Sequence, residues 1–566
     1  MLVAGVLLAA QGAGVAQREC AFDLWDWTAP CRDLGRFRLW AEDLRGMGFN
    51  LLEISAPWDL LEPEPGSYDL SFIADRLGVA ESLGMGLRVR INSYYAGATP
   101  EWVECDRWLD FEGNQAQNIP SINDERFWRR FGPLCTAIAR RFRGAGIVYN
   151  PFIGVHAELK WSDWWTYDES SMARWREAIV APRPDWLREV VGGAELPERP
   201  TVPLGTEGYP DRSPASVAFV AFREQCWRAA LGRFVEAIRA GDAEARIGVP
   251  LGESYRRQSA GMSNLDYWGL SRGADQVIHS YDFFWHARDE PWYAAASVAA
   301  FQGITGLPVS FEFDGPNLQE RHGYTDERLL AIGEAALAEG AALKVANYSY
   351  SERLPSEWAV LRRLARRAAE APSSSLPAPK DTVLLFVSKW ANYCYRERTE
   401  WLHDAQFGAW RMLREHGHHV RVICEDNLPE PELKGYRGLY VAFSPRELIP
   451  PTSRSQLERL AAALPSVVEV PSVPPAAESA PPGKGRGPFG EFAVSAEGLP
   501  VGLPDLSGLG GRWRVRGRLG ERALLLTQGR RVVLGYPLAY CWLNGPDRKA
   551  QGEVLGWAVG RTWGGS

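Results

Sequence analysis

The sequence lacks the features that mark several common classes of protein. Its eight cysteines are spread over 566 residues, without the Cys-x-x-Cys or Cys/His spacing of a zinc site. Positive charge does not dominate: the net charge is −7, whereas phosphate binding needs a clustered positive field. The apolar run at 2–16 is too short to span a bilayer, and no later run is long enough. We therefore expect no metal site, no nucleic-acid partner and no membrane-embedded segment.

The start of the chain has the character of an export signal. Residues 2–16 are small and apolar, and Gly14-Val15-Ala16 suits a signal-peptidase cut before Gln17, although the usual Lys or Arg near the start is missing. We predict a signal peptide at 1–16 and a secreted or periplasmic protein, or a cytoplasmic one if this segment is not a signal. In an exported protein Cys20 could pair with Cys31, and Cys105 with Cys135; buried free thiols are the alternative.

Tryptophan, by contrast, is abundant. The chain has 24 Trp, whose flat apolar faces can stack on sugar rings, although core packing accounts for at least half of them.

The segment 20–371 alternates apolar, β-rich runs with helical patterns. Between the runs lie helices such as the one that Asp124 is placed to cap. Continuous apolar strands separated by helices indicate a parallel sheet that is covered on both faces, and eight units indicate a closed (β/α)8 TIM barrel. The eight predicted strands are Phe22–Trp27, Asn50–Trp58, Leu87–Tyr94, Ile147–Trp161, Arg246–Glu253, Gln276–Phe284, Pro308–Phe313 and Leu343–Tyr348.

A second, smaller unit follows a Pro/Ser-rich linker at 372–379 and extends over 380–566. Short apolar strands at Thr382–Ser388, Val420–Cys424 and Gly438–Phe443 alternate with helical patterns, and a further strand is expected at Val532–Tyr536. This order predicts a doubly wound, flavodoxin-like α/β domain. The Pro/Gly-rich stretch at 471–490 is predicted to be a loose surface loop.

Two carboxylates occupy the barrel positions where chemistry is expected. Active sites of TIM barrels lie at the C-terminal ends of the strands, and Glu158 and Glu312 are placed there on strands 4 and 7, opposite each other across the mouth. Glycoside cleavage needs such a pair, one as proton donor and one as nucleophile or base. A lone Glu at a strand end is more often a salt-bridge partner than a catalyst, and Glu158 could pair with Lys160 in that way. Glu53 and Glu253 are rivals for the acid/base or for sugar binding.

The first part of the barrel resembles glycoside hydrolase clan A, and most closely the family 42 β-galactosidases. The run GMGFNLLEISAPWDLLEPEPGSYDL carries the resemblance, with Trp58, then Glu62-Pro-x-Pro-Gly66-x-Tyr68-Asp69, and later Pro100-Glu101-Trp102. The resemblance extends into the smaller domain. It implies that Glu158 is the acid/base and Glu312 the nucleophile of a retaining enzyme, with Tyr281 of strand 6 hydrogen-bonded to the nucleophile.

One position departs from the clan pattern. An Asn that contacts the sugar 2-OH normally precedes the acid/base, and this chain has Ala157 there. His156, Asn92 or Asn150 would have to substitute, or the substrate is held differently, which places the galactoside specificity in doubt. The zinc cluster of some family 42 members has no counterpart, and no cofactor is expected.

Aromatic and polar residues on the loops complete the predicted site. Trp161 on the strand 4 loop and Trp285 after strand 6 are candidates for stacking on the substrate, with loop packing as the alternative. Asp314, just after the nucleophile, is a candidate for contact with sugar hydroxyls.

The smaller domain resembles two known kinds of domain. The first is the trimerisation domain of family 42, and this resemblance implies a homo-oligomer, with a trimer expected. It resembles glutamine-amidotransferase-like folds too, but the turn VAFSPREL lacks their nucleophilic Cys, so a structural role is expected.

The sequence thus predicts a retaining exo-β-glycosidase of the β-galactosidase type, acting on oligosaccharide, polysaccharide or other glycoside. The alternatives are the same machinery with another specificity (β-mannosidase, β-glucosidase, or an enzyme for uronic acids or longer chains), and a carbohydrate-binding pseudo-enzyme without catalysis.

Overall fold

The structure is a computed structural model, and it describes most of the barrel and the core of the second domain. The described residues are 18–24, 33–93, 98–153, 166–201, 211, 213–251, 266–282, 290–314, 324–347, 355–370, 379–395, 400–444, 446–470, 483–487, 490–494, 514–519, 522–528, 531–534, 538, 549, 551, 553–555 and 558. The predicted leader at 1–16 and most of the linker lie outside them.

Eight of the first ten strands close into a parallel barrel, in the order β1-β10-β9-β8-β7-β6-β3-β2. The remaining two, β4 and β5, form a separate antiparallel ribbon. The ten strands are β1 (Cys20–Leu24), β2 (Leu51–Pro57), β3 (Gly86–Asn92), β4 (Arg107–Leu109), β5 (Gln115–Pro120), β6 (Val148–Phe152), β7 (Arg246–Leu251), β8 (Gln276–Asp282), β9 (Val309–Asp314) and β10 (Ala342–Asn347).

Helices follow the barrel strands and cover the outside of the barrel with a continuous apolar core. The sequence explains where several of them begin: the Asp124 side chain accepts a hydrogen bond from the Arg126 backbone N–H at 2.7 Å, as predicted for an N-cap. The described helices are α1 (Leu34–Met47), α2 (Trp58–Leu61), α3 (Ser71–Ser82), α4 (Glu125–Arg141), α5 (Glu169–Ile179), α6 (Asp185–Val191), α7 (Pro214–Gly241), α8 (Tyr267–Leu270), α9 (Pro291–Thr305), α10 (Asp326–Ala338), α11 (Pro355–Glu370), α12 (Lys389–Tyr395), α13 (Glu400–Glu415) and α14 (Pro451–Ala463).

The motif that carried the family resemblance has a structural function. Glu62, 2% exposed, accepts hydrogen bonds from Trp58 Nε1 and from the Gly66 backbone N–H, both at 2.7 Å. Gly66 has a φ of 78°, a left-handed conformation that side chains disfavour. The Trp58 ring packs edge-on against Trp102, with ring centroids 6.0 Å apart. These contacts shape the connection that follows β2.

All eight predicted barrel strands are present, with ends shifted by a few residues. The largest difference is in strand 4, predicted at Ile147–Trp161, where β6 is described as Val148–Phe152 and residues 154–165 lie outside the described part. The fold class of a TIM barrel followed by a smaller α/β domain is confirmed.

The second domain contains a nine-stranded sheet with two parts. Its parallel part has the order β12-β11-β13-β14-β19, the flavodoxin-like arrangement that the sequence predicted, and β18, β17, β15 and β16 extend it antiparallel. The strands are β11 (Thr382–Phe386), β12 (His419–Ile423), β13 (Gly438–Val441), β14 (Val467–Glu469), β15 (Gly483–Gly487), β16 (Gly490–Val494), β17 (Arg514–Leu519), β18 (Arg522–Gln528) and β19 (Arg531–Leu534).

The expectation of a loose loop at 471–490 is wrong for Gly483–Gly487. Strand β15 lies within it and pairs with β16 and β17. Backbone pairing with neighbouring strands stabilises this glycine-rich segment despite its low β propensity.

Buried charges join the two domains. Lys389, at the start of α12 and 1% exposed, lies with its Nζ 2.9 Å from Glu224 on α7 and 2.7 Å from Asp426. Asp266, 3.8 Å from the same Nζ, also forms a hydrogen-bonded pair with Arg228 of α7 at 2.6 Å. We call Glu224, Arg228, Asp266, Lys389 and Asp426 the junction cluster.

Two further observations concern the sequence predictions. Cys105 and Cys135 are free thiols, so the disulfide proposed between them is absent; Cys20 is also free, and Cys31 lies outside the described residues. In the described part of the chain, no helix is both long and apolar enough to cross a membrane.

Candidate active site at the barrel mouth

The interior of the barrel contains charges where most TIM barrels have branched apolar side chains. Alternate residues of a strand face the same side, so a charge at every second position of an apolar strand creates a charged lining. Six residues, each 8% exposed or less, form what we call the barrel cluster: Asp23, Glu53, Arg88, Arg90, Glu312 and Lys344.

The cluster begins at the N-terminal end of the barrel, opposite the mouth. Arg88 of β3 pairs with Glu19, just before β1, at 3.0 Å, and with Glu53 of β2 at 2.9 Å. Arg246, the first residue of β7, pairs with the same Glu19 at 2.7 Å. Each of these charges therefore has an opposite charge within hydrogen-bonding distance, as buried ions require.

Glu53 is held ionised by its neighbours. Burial alone would raise its pKa, but the positive charges of Arg90, Lys344 and Arg88 outweigh burial and hold the pKa below the ordinary value. Its side chain is fully enclosed. The suggestion that Glu53 is a rival acid/base or a sugar ligand is therefore not supported, because its two oxygens are taken up by ion pairs.

The pKa of Asp23, on β1, is shifted in the opposite direction to that of Glu53. Burial raises its pKa to about 7, and the nearby negative charges of Glu53 and Glu312 add to this, against the attraction of Arg90 and Lys344. Arg90 hydrogen-bonds both Asp23 and Glu53, so it connects β3 to β1 and β2 across the interior.

Glu312 is the most exposed residue of the barrel cluster. It stands two residues before the end of β9 and is 8% exposed. Lys344 of β10 is paired with it in register, is 1% exposed, and donates a hydrogen bond to Glu312 Oε2. A carboxylate with one partly accessible edge and a buried counter-ion is suited to act as a nucleophile that must stay charged.

The register of β8 and β9 gives the backbone positions next to Glu312. Across the β8–β9 pair, Glu312 is in register with Ser280, whereas Tyr281 is in register with Phe313. The side chain of Tyr281 is outside the described part, so its bond to the nucleophile remains a prediction.

The structure describes some of the other predicted site residues but not all of them. Asn92 is the last residue of β3 and fully buried, at the mouth end of the barrel. Asp314 ends β9, in register with Asp282. Asn150 is paired with Arg90, deeper than Asn92, and is also fully buried. It therefore does not reach the mouth to replace the missing Asn. The predicted residues Glu158, His156, Trp161 and Trp285, together with Ala157 and Glu253, lie outside the described residues.

Sequence reasoning missed Lys344 and Arg90. The signal was present as single charges at alternate positions in apolar strands: Lys344 in ALKVAN and Arg88 and Arg90 in LRVRI. Charged residues are almost never fully buried unless paired, so several on neighbouring strands predict ion pairs inside a barrel. Among the described residues, no group of three or more His, Cys, Asp or Glu side chains is arranged to hold a metal ion.

Comparison with known proteins supports the fold over nearly its full length. No protein-family model matches the chain, and no curated protein matches it. Solved structures do. The β-galactosidase from the psychrophilic Marinomonas ef1 is similar with a TM-score of 0.65 at 14% identity, covering 95% of this chain and 91% of that one.

Two further structures give the same result. The β-galactosidase from Bacillus circulans sp. alkalophilus has a TM-score of 0.68 at 10% identity, with 94% and 89% coverage. An exo-β-1,4-mannosidase from Opitutaceae bacterium strain TAV5 has a TM-score of 0.56 at 14% identity, with 96% and 97% coverage. The chain therefore has the barrel-plus-α/β-domain fold of these clan A glycosidases, as the resemblance implied.

Proposed function

We propose that this protein is a retaining glycoside hydrolase with Glu312 as nucleophile and Glu158 as acid/base. The observation that carries the proposal is Glu312, a slightly exposed carboxylate near the C-terminal end of the seventh barrel strand, backed by the buried cation Lys344. The fold shared with β-galactosidases and a β-mannosidase along almost the whole chain supports the same class.

The proposed reaction has two steps. In the first, a Glu312 oxygen forms a bond to the anomeric carbon while the bond to the leaving oxygen breaks, and Glu158 gives its proton to that oxygen. In the second, Glu158 takes a proton from water, whose oxygen attacks the anomeric carbon and releases Glu312 as a carboxylate. Two inversions at the anomeric carbon give net retention.

Substrate specificity is proposed as β-galactosidase-like, with β-mannoside, β-glucoside and uronic acid substrates as the alternatives. Ala157, at the position where the clan has an Asn for the 2-OH, is the reason to test these sugars side by side. Mannosides differ from galactosides in the configuration at that carbon and at C4, and the mannosidase likeness makes them the first alternative.

Hydrolysis of aryl β-glycosides tests the proposal. A panel of p-nitrophenyl and dinitrophenyl β-galactoside, mannoside, glucoside and glucuronide should show release of phenol from at least one sugar. NMR of the first-formed product should show the β-anomer. Sugar binding in calorimetry without release of phenol from any member would identify the pseudo-enzyme instead, and an α-anomer as first product would contradict the nucleophilic role of Glu312.

The second domain is proposed to assemble the protein rather than to catalyse. The proposal rests on the family resemblance and on the turn VAFSPREL, which lacks a nucleophile. Light scattering should show a homo-oligomer, with a trimer expected; a monomer at micromolar concentration would contradict it.

A further inference from the structure

We infer that Lys344 is a positioning residue for Glu312: it orients the carboxylate and compensates its negative charge. When Glu312 loses that charge, Glu53 and Asp23 compensate the positive charge of Lys344. This inference rests on the proposed role of Glu312 as nucleophile.

The first part of the argument is geometric. Lys344 and Glu312 are directly in register on adjacent strands, so the backbone of the barrel fixes the distance between their Cα atoms. Lys344 is 1% exposed, whereas Glu312 is the most exposed member of the barrel cluster. A substrate in the mouth can therefore reach Glu312 but not Lys344, which acts only through the carboxylate.

The second part concerns the other partners of Lys344. Its Nζ lies 3.5 Å from Asp23 Oδ2 and 3.4 Å from Glu53 Oε1, in addition to its contact with Glu312. An ammonium group has three N–H donors, so it can serve three carboxylates without moving its stem. The charged groups that face Glu312 from the described strands are Lys344 on β10, Asp23 on β1, Glu53 on β2 and Arg90 on β3.

The reaction explains why three carboxylates are useful. When Glu312 bonds to the anomeric carbon it becomes a neutral ester, so one negative charge leaves the cluster. A buried cation that loses its counter-ion is strongly destabilised. Glu53 and Asp23 remain beside Lys344, and the charge of the ammonium stays compensated throughout the lifetime of the intermediate.

Asp23 is the group that can respond to this change. Burial raises its pKa to about 7, and the charge of Glu312 contributes to that rise. Once Glu312 is an ester, that contribution ends, and the ionised form of Asp23 becomes more favourable as Lys344 loses its first partner.

The test compares Lys344→Met with Lys344→Arg on the aryl glycosides that the wild type hydrolyses. For Lys344→Met we expect kcat/KM to fall on the order of 10²-fold, as for loss of one preorganised electrostatic contact, with KM nearly unchanged and the acid limb of the pH profile moved to higher pH. Lys344→Arg should recover part of the rate and the original acid limb. Lys389→Met, which removes the buried ammonium of the junction cluster instead, is the matched control. At a temperature where this variant is folded across the pH range, it should keep the wild-type pH profile.

Two further readouts keep the inference testable. The first readout is the urea concentration at the unfolding midpoint, measured for Lys344→Met, Glu312→Gln and the double variant. Lys344→Met should lower this midpoint less when Glu312 is already replaced by the neutral Gln. If Lys344→Met does not fold, Asp23→Asn replaces it: the pre-steady-state burst of dinitrophenol should decrease, because the intermediate has lost one compensating carboxylate.

The outcomes separate the two proposals. If the wild type hydrolyses no glycoside, the proposed function fails and the role of Lys344 fails with it. If the wild type is active but Lys344→Met keeps the wild-type pH profile and rate, or Asp23→Asn keeps the full burst, only the inference about Lys344 is overturned, and the barrel cluster is purely structural.

Discussion

The barrel cluster and the junction cluster have the same composition at their centres and different surroundings. Each places one lysine, 1% exposed, among three carboxylates: Lys344 with Asp23, Glu53 and Glu312, and Lys389 with Glu224, Asp266 and Asp426. Buried ions of this kind must be paired to be tolerated, and both clusters satisfy that requirement.

The difference lies in what the carboxylates face. Glu312 is on a barrel strand, near the end where TIM-barrel active sites form. Glu224, in contrast, is between two domains, where it also accepts a hydrogen bond from Tyr393 Oη at 2.7 Å. A buried Lys among carboxylates is therefore not by itself a sign of catalysis; access for a substrate decides between chemistry and domain docking.

Neutralising one carboxylate in each cluster is the strongest test of this comparison. Glu312→Gln should lower kcat on aryl glycosides by about 10⁴-fold or more, since the amide cannot form the glycosyl-enzyme. Glu224→Gln should retain the wild-type kcat at a temperature where both variants are folded. Equal losses of kcat in the two variants would mean that the barrel cluster has no special role.

Removing the lysine of the junction cluster should have a large effect on stability. Lys389→Met leaves Glu224 buried without its ion-pair partner, whereas Asp266 keeps its pair with Arg228, so the free energy of unfolding should fall by about 3–5 kcal/mol. The loss should be greatest above pH 7, since burial raises the pKa of Glu224 to about 7 and the carboxyl can become neutral below that pH.

Urea titration followed by circular dichroism measures this change. Lys380→Met is the matched control, because Lys380 is exposed. If both variants unfold at the same urea concentration, the junction cluster does not hold the domains together.

Glu425, next to the junction cluster, should make stability depend on pH. Burial raises its pKa to about 7 despite hydrogen bonds from Ser388 and from the Lys389 backbone N–H. The folded protein therefore holds a proton between pH 4.5 and 7 that the unfolded chain releases, and stability falls as the pH rises through this window.

Replacing Glu425 should flatten that dependence. Between pH 4.5 and 7, Glu425→Gln should lose less stability than the wild type, by up to about 3 kcal/mol, since one pKa unit corresponds to about 1.4 kcal/mol. Urea midpoints measured across this pH range provide the comparison. A variant whose stability falls as steeply as that of the wild type would show that Glu425 does not carry the proton.

An exposed ion pair should give the smallest effect. Arg188 and Asp185 on α6 pair at the surface, with side chains 59% and 81% exposed. Arg188→Met should change the free energy of unfolding by less than about 1 kcal/mol, because exposed pairs are screened by water and salt. If Arg188→Met lowered the free energy of unfolding as much as Lys389→Met does, buried ion pairs would not contribute more to stability than exposed ones, and the comparison would fail.

The positions of the barrel strands could be predicted because each strand is a short apolar run between helical patterns. Glu312 could be assigned to a strand end in the same way, and the order of the second domain followed from its alternating strands and helices. The Asp124 cap was equally readable, since capping depends on residues within a single turn.

What the sequence determined by itself is therefore local: where strands and helices lie, and which carboxylates stand at strand ends. Only the tertiary structure decided the partners of those groups. Lys344 is 32 residues from Glu312, and Asp23 is 289 residues away, yet closure of the barrel brings all three together. The same closure enclosed Glu53, which the sequence had left as a rival for the acid/base or for sugar binding. Burial and charge pairing depend on strands that are distant in the chain, and no periodicity of a single segment contains that information.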